Sequence, residues 1–351
     1  MENKLKILYI NNRPEPDGCA MYRNIIPAEG LQSLGWDPHF LPIPENDPFD
    51  YDIVVFSRIY QLSGIKPIVE MLRKKSKAKI VYDTDDLIDH IAPDNPFQSE
   101  INKKELVGSY LYFLDNADLV TVTTDYLKQE IAKRRSGAIA VVPNAVREIK
   151  IRDRREPRVR VLYSGSDTHF PDLNIFLDVF LDLQKKYDIE LVTQSIGKNK
   201  YFEQNYAHLP MVMKPYNECM EKIKKVKHYQ FVKNVHCFEY VDMLRSIDAT
   251  IGVCPLHDDK FTRCKSAIKY YDWAAIGTVT LAQKCVAYED CNFTARSYSD
   301  WKNKLECLIT DIPLRNSILK SQIKYVIENR YIDVVRYQWD QVYRDLLAGK
   351  I

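Results

Sequence analysis

Residues 249–282 read ATIGVCPLHDDKFTRCKSAIKYYDWAAIGTVTLA. The segment 249–254 is short and apolar, which predicts a buried strand. A polar loop follows it. Residues 265–276 then take helical spacing and stop at Gly277, the residue type that most readily adopts the left-handed turn past a helix end. Residues 278–282 are apolar again. Strand, helix and strand in this order form a βαβ unit, whose two strands run parallel.

The same alternation extends outward in both directions. Toward the N-terminus, 159–163 and 189–194 read as strands around a helix at 173–186. Residues 197–234 have no clear period, 235–238 read as a strand and 242–247 as a helical turn. The first half repeats the pattern: strands at 6–11, 52–58, 79–82, 119–124 and 138–142 alternate with helices at 21–34, 65–75, 104–117 and 126–134, the first of these interrupted by Pro27. Beyond 299 the chain reads as helices, the last at 333–347 with Trp339 and Tyr343 four apart on one face. Between the halves lies REIKIRDRREPRVR (147–160), with seven basic and three acidic residues and no amphipathic period, a solvated linker. The fold class is α/β, two Rossmann-like doubly wound units facing across a cleft. The expected division is 1–150, 151–332 and a returning C-terminal helix at 333–351. Ligands bind open parallel sheets beyond the carboxyl ends of their strands, so the cleft is the expected site.

Composition narrows the class further. Fifty Lys+Arg against 48 Asp+Glu leave a net charge of +2 in 351 residues, so global charge does not argue for a nucleic-acid partner. No apolar run approaches the ~20 residues needed to cross a bilayer, and the start MENKLK has no signal-peptide layout. Eight cysteines are scattered with no C-x-x-C pair, so neither a disulfide framework nor a metal site is expected, and the expected compartment is the cytoplasm. There is no G-x-G-x-x-G, no G-x-x-x-x-G-K-[ST], no G-x-S-x-G and no H-E-x-x-H.

Polar loops at strand ends remain. Lys265, Lys269 and Asp272 fall at i, i+4 and i+7, one face of the predicted helix. Lys265 and Ser266 would occupy its first turn, whose free N–H groups attract phosphate. Asp272, further along, could accept from a ribose diol. The alternative is a solvent-facing charged stripe. A second loop, SGSDTHFPD (164–172), offers Gly165 for close backbone approach and the Ser166 hydroxyl for phosphate oxygens, with Asp172 a plain helix-cap candidate.

Six stretches, taken in order, resemble the group 1 glycosyltransferases (glycosyltransferase family 4) of the GT-B fold. They are GCAMYRNIIPAEGL (18–31), VYDTDDLI (81–88), ADLVTVTTDYLKQEI (117–131), VVPNAV (141–146), YSGSDTHFPDL (163–173) and IGVCPLHDDKFTRCKSAIKYYDWAAIGTVTLA (251–282). The resemblance implies transfer of a sugar from a nucleotide-sugar donor, a UDP-sugar first, to an acceptor hydroxyl with retention of configuration. It implies no obligatory cofactor and no metal. Asp272 matches the second glutamate of the family's pair and Cys264 stands where the first would be. Lys265 and Ser266 match a K-S variant. The loop Gly165–Asp172 carries His169 but no Arg or Lys, so Arg263, Lys265 or Lys269 would have to neutralise the diphosphate. In the first half, Gly18 and Arg23 match the loop that approaches donor phosphates and acceptor. Asp85, Asp86 and His90, with Asp83, follow the third strand and could orient an acceptor hydroxyl or act as base. A metal-binding reading of the aspartates and a helix-capping one are the alternatives. His90, His169 and His257 fall near cleft loops, whereas His39, His208, His228 and His236 have no partner suggested by spacing.

The acceptor is open: a glycan, a small molecule or a modified DNA base. Residues 198–233 interleave lysines with Tyr201, Phe202, Tyr206, Tyr216, Tyr229 and Phe231, a pattern that suits nucleic acid. The other reading of that segment is an insert with its own small apolar core. A non-catalytic GT-B-like binding protein is the remaining alternative, favoured by the missing glutamate.

Overall fold

The computed structural model describes residues 4–11, 16–40, 49–59, 62–92, 94–95, 103–151 and 158–351. Two six-stranded sheets, each wholly parallel, form two α/β lobes. The first contains β1 (Lys6–Asn11), β2 (Asp37–Phe40), β3 (Ile53–Ser57), β4 (Lys79–Thr84), β5 (Leu119–Val122) and β6 (Ala138–Val141), in the order β2-β1-β3-β4-β5-β6. The second contains β7 (Val159–Ser164), β8 (Ile189–Gln194), β9 (Tyr229–Val232), β10 (Ile251–Cys254), β11 (Val279–Gln283) and β12 (Thr294–Ala295), in the order β12-β11-β10-β7-β8-β9. Helices cover both faces, which is why β3 and β10 are buried along their whole length and read as uninterrupted apolar runs. The strand order reverses between β1 and β3 in one lobe and between β7 and β10 in the other, and such reversals open the ligand crevice of this architecture.

Four expectations change. β2 carries only the sequence DPHF and was not legible as a strand. Residues 197–234 are not irregular: they form helices Lys200–Tyr206 and Pro210–Ile223 and then β9. Phe202 and Tyr216 pack against Phe170 and Tyr206 packs on Phe202, all in the core of the second lobe, so half of the aromatic series is unavailable to a surface ligand. The strand expected at 235–238 is instead a single 3-10 turn, Cys237–Glu239, because the ladder to β8 is taken by Tyr229–Val232. The helix expected from 265 begins at Ile268. Part of the expected linker, 152–157, lies outside the described residues.

Two local features place the site. Near the N-terminus a helical turn Gly18–Ala20 widens into a π turn at Met21–Ile25 before the helix Ile26–Ser33. Pro27 has no N–H to offer the Arg23 carbonyl, and the wide turn absorbs that missing bond. The last helix, Ile332–Leu347, returns to the first lobe. There Trp339 and Tyr343 are buried in the same cluster as Trp36, whose indole N–H donates to Asp340 Oδ1 at 2.7 Å. Gly30 allows this contact, since a Cβ there would lie 2.8 Å from both Arg336 Cβ and Ile332 Cδ1.

Candidate functional site

A cavity of about 450 Å³ opens between the lobes. The second lobe contributes the loop after β7 (Ser164, Gly165, Ser166, His169), the end of β8 (Gln194, Ser195) and the start of the helix Ile268–Ala275. The first lobe contributes Asp17, Gly18, Met21 and Tyr22. Ser195 is held at φ +64°, a conformation that costs a non-glycine residue energy and tends to persist at functional sites.

Of the residues singled out in the sequence, Gly18, Gly165, Ser166, His169, Lys269 and Asp272 line this cavity together. The first turn of the helix Ile268–Ala275 points Ile268 and Lys269 into it, and unpaired N–H groups at a helix start favour an anion. Lys269 makes no salt bridge among the described residues. Its amine lies 4.9 Å from the centre of the Tyr163 ring, and burial holds its pKa below the usual lysine value. A cation so placed gains most when an anion arrives. Asp272 is buried and accepts a 2.6 Å hydrogen bond from Tyr22 Oη across the cleft. Burial pushes its carboxyl up to about 7 although the Tyr22 bond pulls the other way.

Asp172 ties two loops together. His169 Nδ1 lies 2.7 Å from its Oδ2, while the backbone N–H and ring Nδ1 of His257 lie 2.8 and 3.2 Å from its Oδ1. Burial raises the cost of that carboxylate's charge, but the two imidazoles outweigh it and hold its pKa well below the usual range. His169 is brought down to about 4 by burial and by Lys269, so its ring is neutral at pH 7. The Asp172 bond then fixes the tautomer, with Nδ1 carrying the proton.

The remaining expected residues lie elsewhere. Arg23 does not reach the cleft. It is 2% exposed, and its guanidinium is spent on Asp83, the Val142 carbonyl and Asn144 Oδ1, with its Cζ 4.9 Å from the centre of the Trp339 ring. Arg263 pairs with Asp258 at 2.6 Å and lines a separate cavity with Lys284 and Arg296. Lys265 precedes the helix in extended conformation (φ −69°, ψ 153°), so it is not on one helical face with Lys269 and Asp272. Its amine binds Asp86 Oδ1 of the other lobe at 3.1 Å; burial opposes its charge, yet Asp86 prevails and raises its pKa. Ser266 Oγ accepts from Asn144 Nδ2 at 2.8 Å, again across the lobes. Asp85 and Asp86 face Arg58 at 3.8 and 3.6 Å. Burial raises Asp85, whereas Lys265 and Arg58 overcome burial and lower Asp86. His90 Nε2 lies 3.0 Å from Lys260 Nζ, and burial together with that lysine lowers its pKa. These groups form the seam between lobes. No cluster of potential metal ligands occurs among the described residues.

Sequence reasoning missed Tyr22, Asn144, Arg58 and Lys260. Tyr22, Asn144 and Lys260 lie within the quoted stretches 18–31, 141–146 and 251–282 and Arg58 lies outside them; none carries a local signal of its role, because those roles exist only once the lobes meet. Cys264, at the position of the family's first glutamate, is buried with Phe261 among Leu87, Ile88, Leu106 and Tyr110 of the first lobe.

No protein-family model matches the chain, and no curated protein matches it in sequence. Solved structures do match in fold. A glycosyltransferase from Rickettsia africae ESF-5 aligns with TM-score 0.64 over 98% of this chain and 99% of its own, at 14% identity. An alpha-glucosyltransferase in complex with UDP aligns with TM-score 0.67 over 97% and 100%, at 10% identity. An alpha,alpha-trehalose 6-phosphate synthase from Burkholderia multivorans aligns with TM-score 0.62 over 99% and 98%, at 12% identity. The fold is that of the GT-B glycosyltransferases. No helix among the described residues is long and apolar enough to cross a membrane.

Proposed function

We propose that this protein is a glycosyltransferase of the family 4 type that takes a nucleoside-diphosphate sugar, a UDP-sugar first, and passes the sugar to an acceptor hydroxyl with retention of configuration. The observation that carries the reading is the interlobe cavity. One wall combines a helix start, a lysine without a carboxylate partner among the described residues, and a buried carboxylate three residues further on. The diphosphate would sit at the N–H groups of Ile268 and Lys269 and against the Lys269 amine. The ribose diol would replace Tyr22 on Asp272.

The chemistry follows from charge. The acceptor oxygen bonds to the anomeric carbon while the bond from that carbon to the diphosphate oxygen breaks, and its electron pair leaves with the phosphate. Negative charge therefore grows on the nucleotide side, where Lys269 and the helix N–H groups stabilise the transition state more than the ground state. With retention, the acceptor approaches on the face from which the diphosphate departs. Its proton then has the departing phosphate oxygen as its nearest acceptor. The Asp85–Asp86–Arg58–Lys265 group would hold the floor of the cleft in place rather than attack the sugar.

A thermal-shift series tests this. UDP, GDP and ADP and their sugars are added singly, and a ligand that binds only the folded state raises Tm by mass action. UDP is expected to raise it most, and Lys269→Met to weaken UDP about tenfold or more, ~1.4 kcal/mol. No shift with any nucleotide would remove the proposal. The apolar burial of Cys264 favours a second reading, a GT-B-like nucleotide binder without turnover. That outcome would be a UDP shift with no release of UDP from a UDP-sugar.

A further inference from the structure

A second cavity, of about 300 Å³, adjoins the first and shares His169 with it. Both lobes build it: Asp94 and Asn95 come from the first, and Met211, His257 and Asp259 from the second. We infer that this cavity is where the acceptor enters, and that it is made for a neutral polyhydroxylated group, a sugar ring or polyol, rather than for a phosphate ester or a nucleic acid. The inference rests on the donor reading above for the identity of its neighbour.

Three observations carry it. The first is position. His169 lines both cavities, so a hydroxyl held in the second reaches the wall that it shares with the donor cavity. The second is charge. Three carboxylates line the cavity: Asp94; Asp172, whose two oxygens are taken by His169 and His257; and Asp259, whose Oδ1 accepts from Thr262. The one lysine among the described lining residues is Lys265, whose amine is engaged by Asp86. Two imidazoles face it as well. His169 is neutral near pH 7, and His257, half-exposed, is raised by its bond to Asp172, which the same carboxylate balances. A phosphate would meet Asp94 and Asp259 with no unengaged lysine or arginine among the described lining residues, whereas the donor cavity next door holds Lys269. The third is donor and acceptor chemistry. Asp94 and Asn95, on the first lobe's side, offer a carboxylate and an amide to vicinal hydroxyls, which both donate and accept. Met211, which is 61% exposed, offers the apolar surface that the C–H face of a ring requires.

The test uses the whole protein with UDP present. Methyl α-D-glucopyranoside, methyl β-D-galactopyranoside, glucose 6-phosphate and a thymidine pentanucleotide are compared by saturation-transfer NMR. Met211→Trp fills the cavity from the exposed side without touching the donor cavity, and Asp94→Asn removes one carboxylate at a loop position. We expect a neutral glycoside to bind, and both variants to weaken it about tenfold or more, with the UDP thermal shift unchanged. Binding of only the phosphorylated probes, glycoside binding indifferent to Met211→Trp, or no glycoside binding at tens of millimolar would each overturn the inference. Glycoside binding that needs Met211 but occurs without any UDP shift would support the pocket and remove the donor reading instead.

Discussion

At Asp272 stability and binding oppose each other. Its carboxyl titrates at about 7 in the folded protein, against ~3.9 for an unperturbed aspartate. Between those values the native state keeps a proton that the unfolded chain has lost. Raising the pH from ~4 to ~7 therefore removes stability, on the order of 3–4 kcal/mol at most. Asp272→Asn keeps the shape and a partner for Tyr22 but carries no charge. It is expected to melt higher than the wild type at pH 8, to show no advantage at pH 4, and to bind UDP less tightly. Melting curves at the two pH values decide it: an advantage that does not grow with pH would refute the burial argument. His169 acts with the opposite sign. Its pKa of about 4 lies below the ordinary ~6.5, so stability falls as pH drops through that interval. The depressed Asp172 adds stability above ~3.9 that is lost as pH falls toward its folded value. Asp272 was legible in the sequence as a carboxylate at a useful position. The Tyr22 bond was not, because it joins residues 250 positions apart.

Among elements, β11 has an unusual neighbour. Along its first half it pairs with β10 only, since β12 meets it at Ala282 and Gln283. Gln322, from the helix Ile312–Asn329, covers the gap: Thr280 N–H donates to its Oε1 at 2.9 Å and its Nε2 donates to the Thr280 carbonyl at 2.8 Å. A side-chain amide thus stands in for an adjacent strand, within a core that cannot hydrate the exposed edge. Gln322→Leu should cost roughly 2–4 kcal/mol, because two backbone groups lose their partners. Urea unfolding would measure it, and a change below ~1 kcal/mol would mean that water reaches the edge. The strands that were legible, such as β3 and β10, are buried on both faces and so had to be apolar. β2 was not, because an edge strand pairs on one side and tolerates DPHF. The helix start was misplaced for a related reason. Residues 265–267 carry helical spacing, but Lys265 is drawn to Asp86 and Ser266 is held by Asn144, and tertiary bonds of this kind override a weak local preference.

The whole molecule is pinned along one seam. Phe261 and Cys264 of the second lobe are embedded in the core of the first, Thr124 Oγ1 donates to the Cys264 carbonyl at 3.1 Å, and Lys260 meets Glu130 Oε2 at 3.1 Å. Opening the cleft widely would bring two buried apolar side chains into water. The lobes should therefore unfold as one cooperative unit. Phe261→Ala, at about 3–5 kcal/mol of lost packing, should split the calorimetric transition in two. A single transition at an unchanged temperature would show that the seam does not couple the lobes. The returning helix Ile332–Leu347 adds a second strap through Trp339 and Tyr343, and its aromatic face was readable from a spacing of four.

The sequence by itself determined the class of molecule: buried parallel strands demand apolar runs, crossovers demand helices between them, and repetition of that pattern around a charged break yields two doubly wound lobes. It also placed glycine, hydroxyl, lysine and carboxylate groups at strand ends, where such sheets bind ligands. Only the tertiary structure decided which charges are available. Arg23, Arg263 and Lys265 are equivalent cations in a string of letters. Folding engages Arg23 with Asp83, Arg263 with Asp258 and Lys265 with Asp86, and leaves Lys269 facing the cavity. The physical reason is that a buried charge must find a partner, and the partner is chosen by which surfaces the packed lobes bring together.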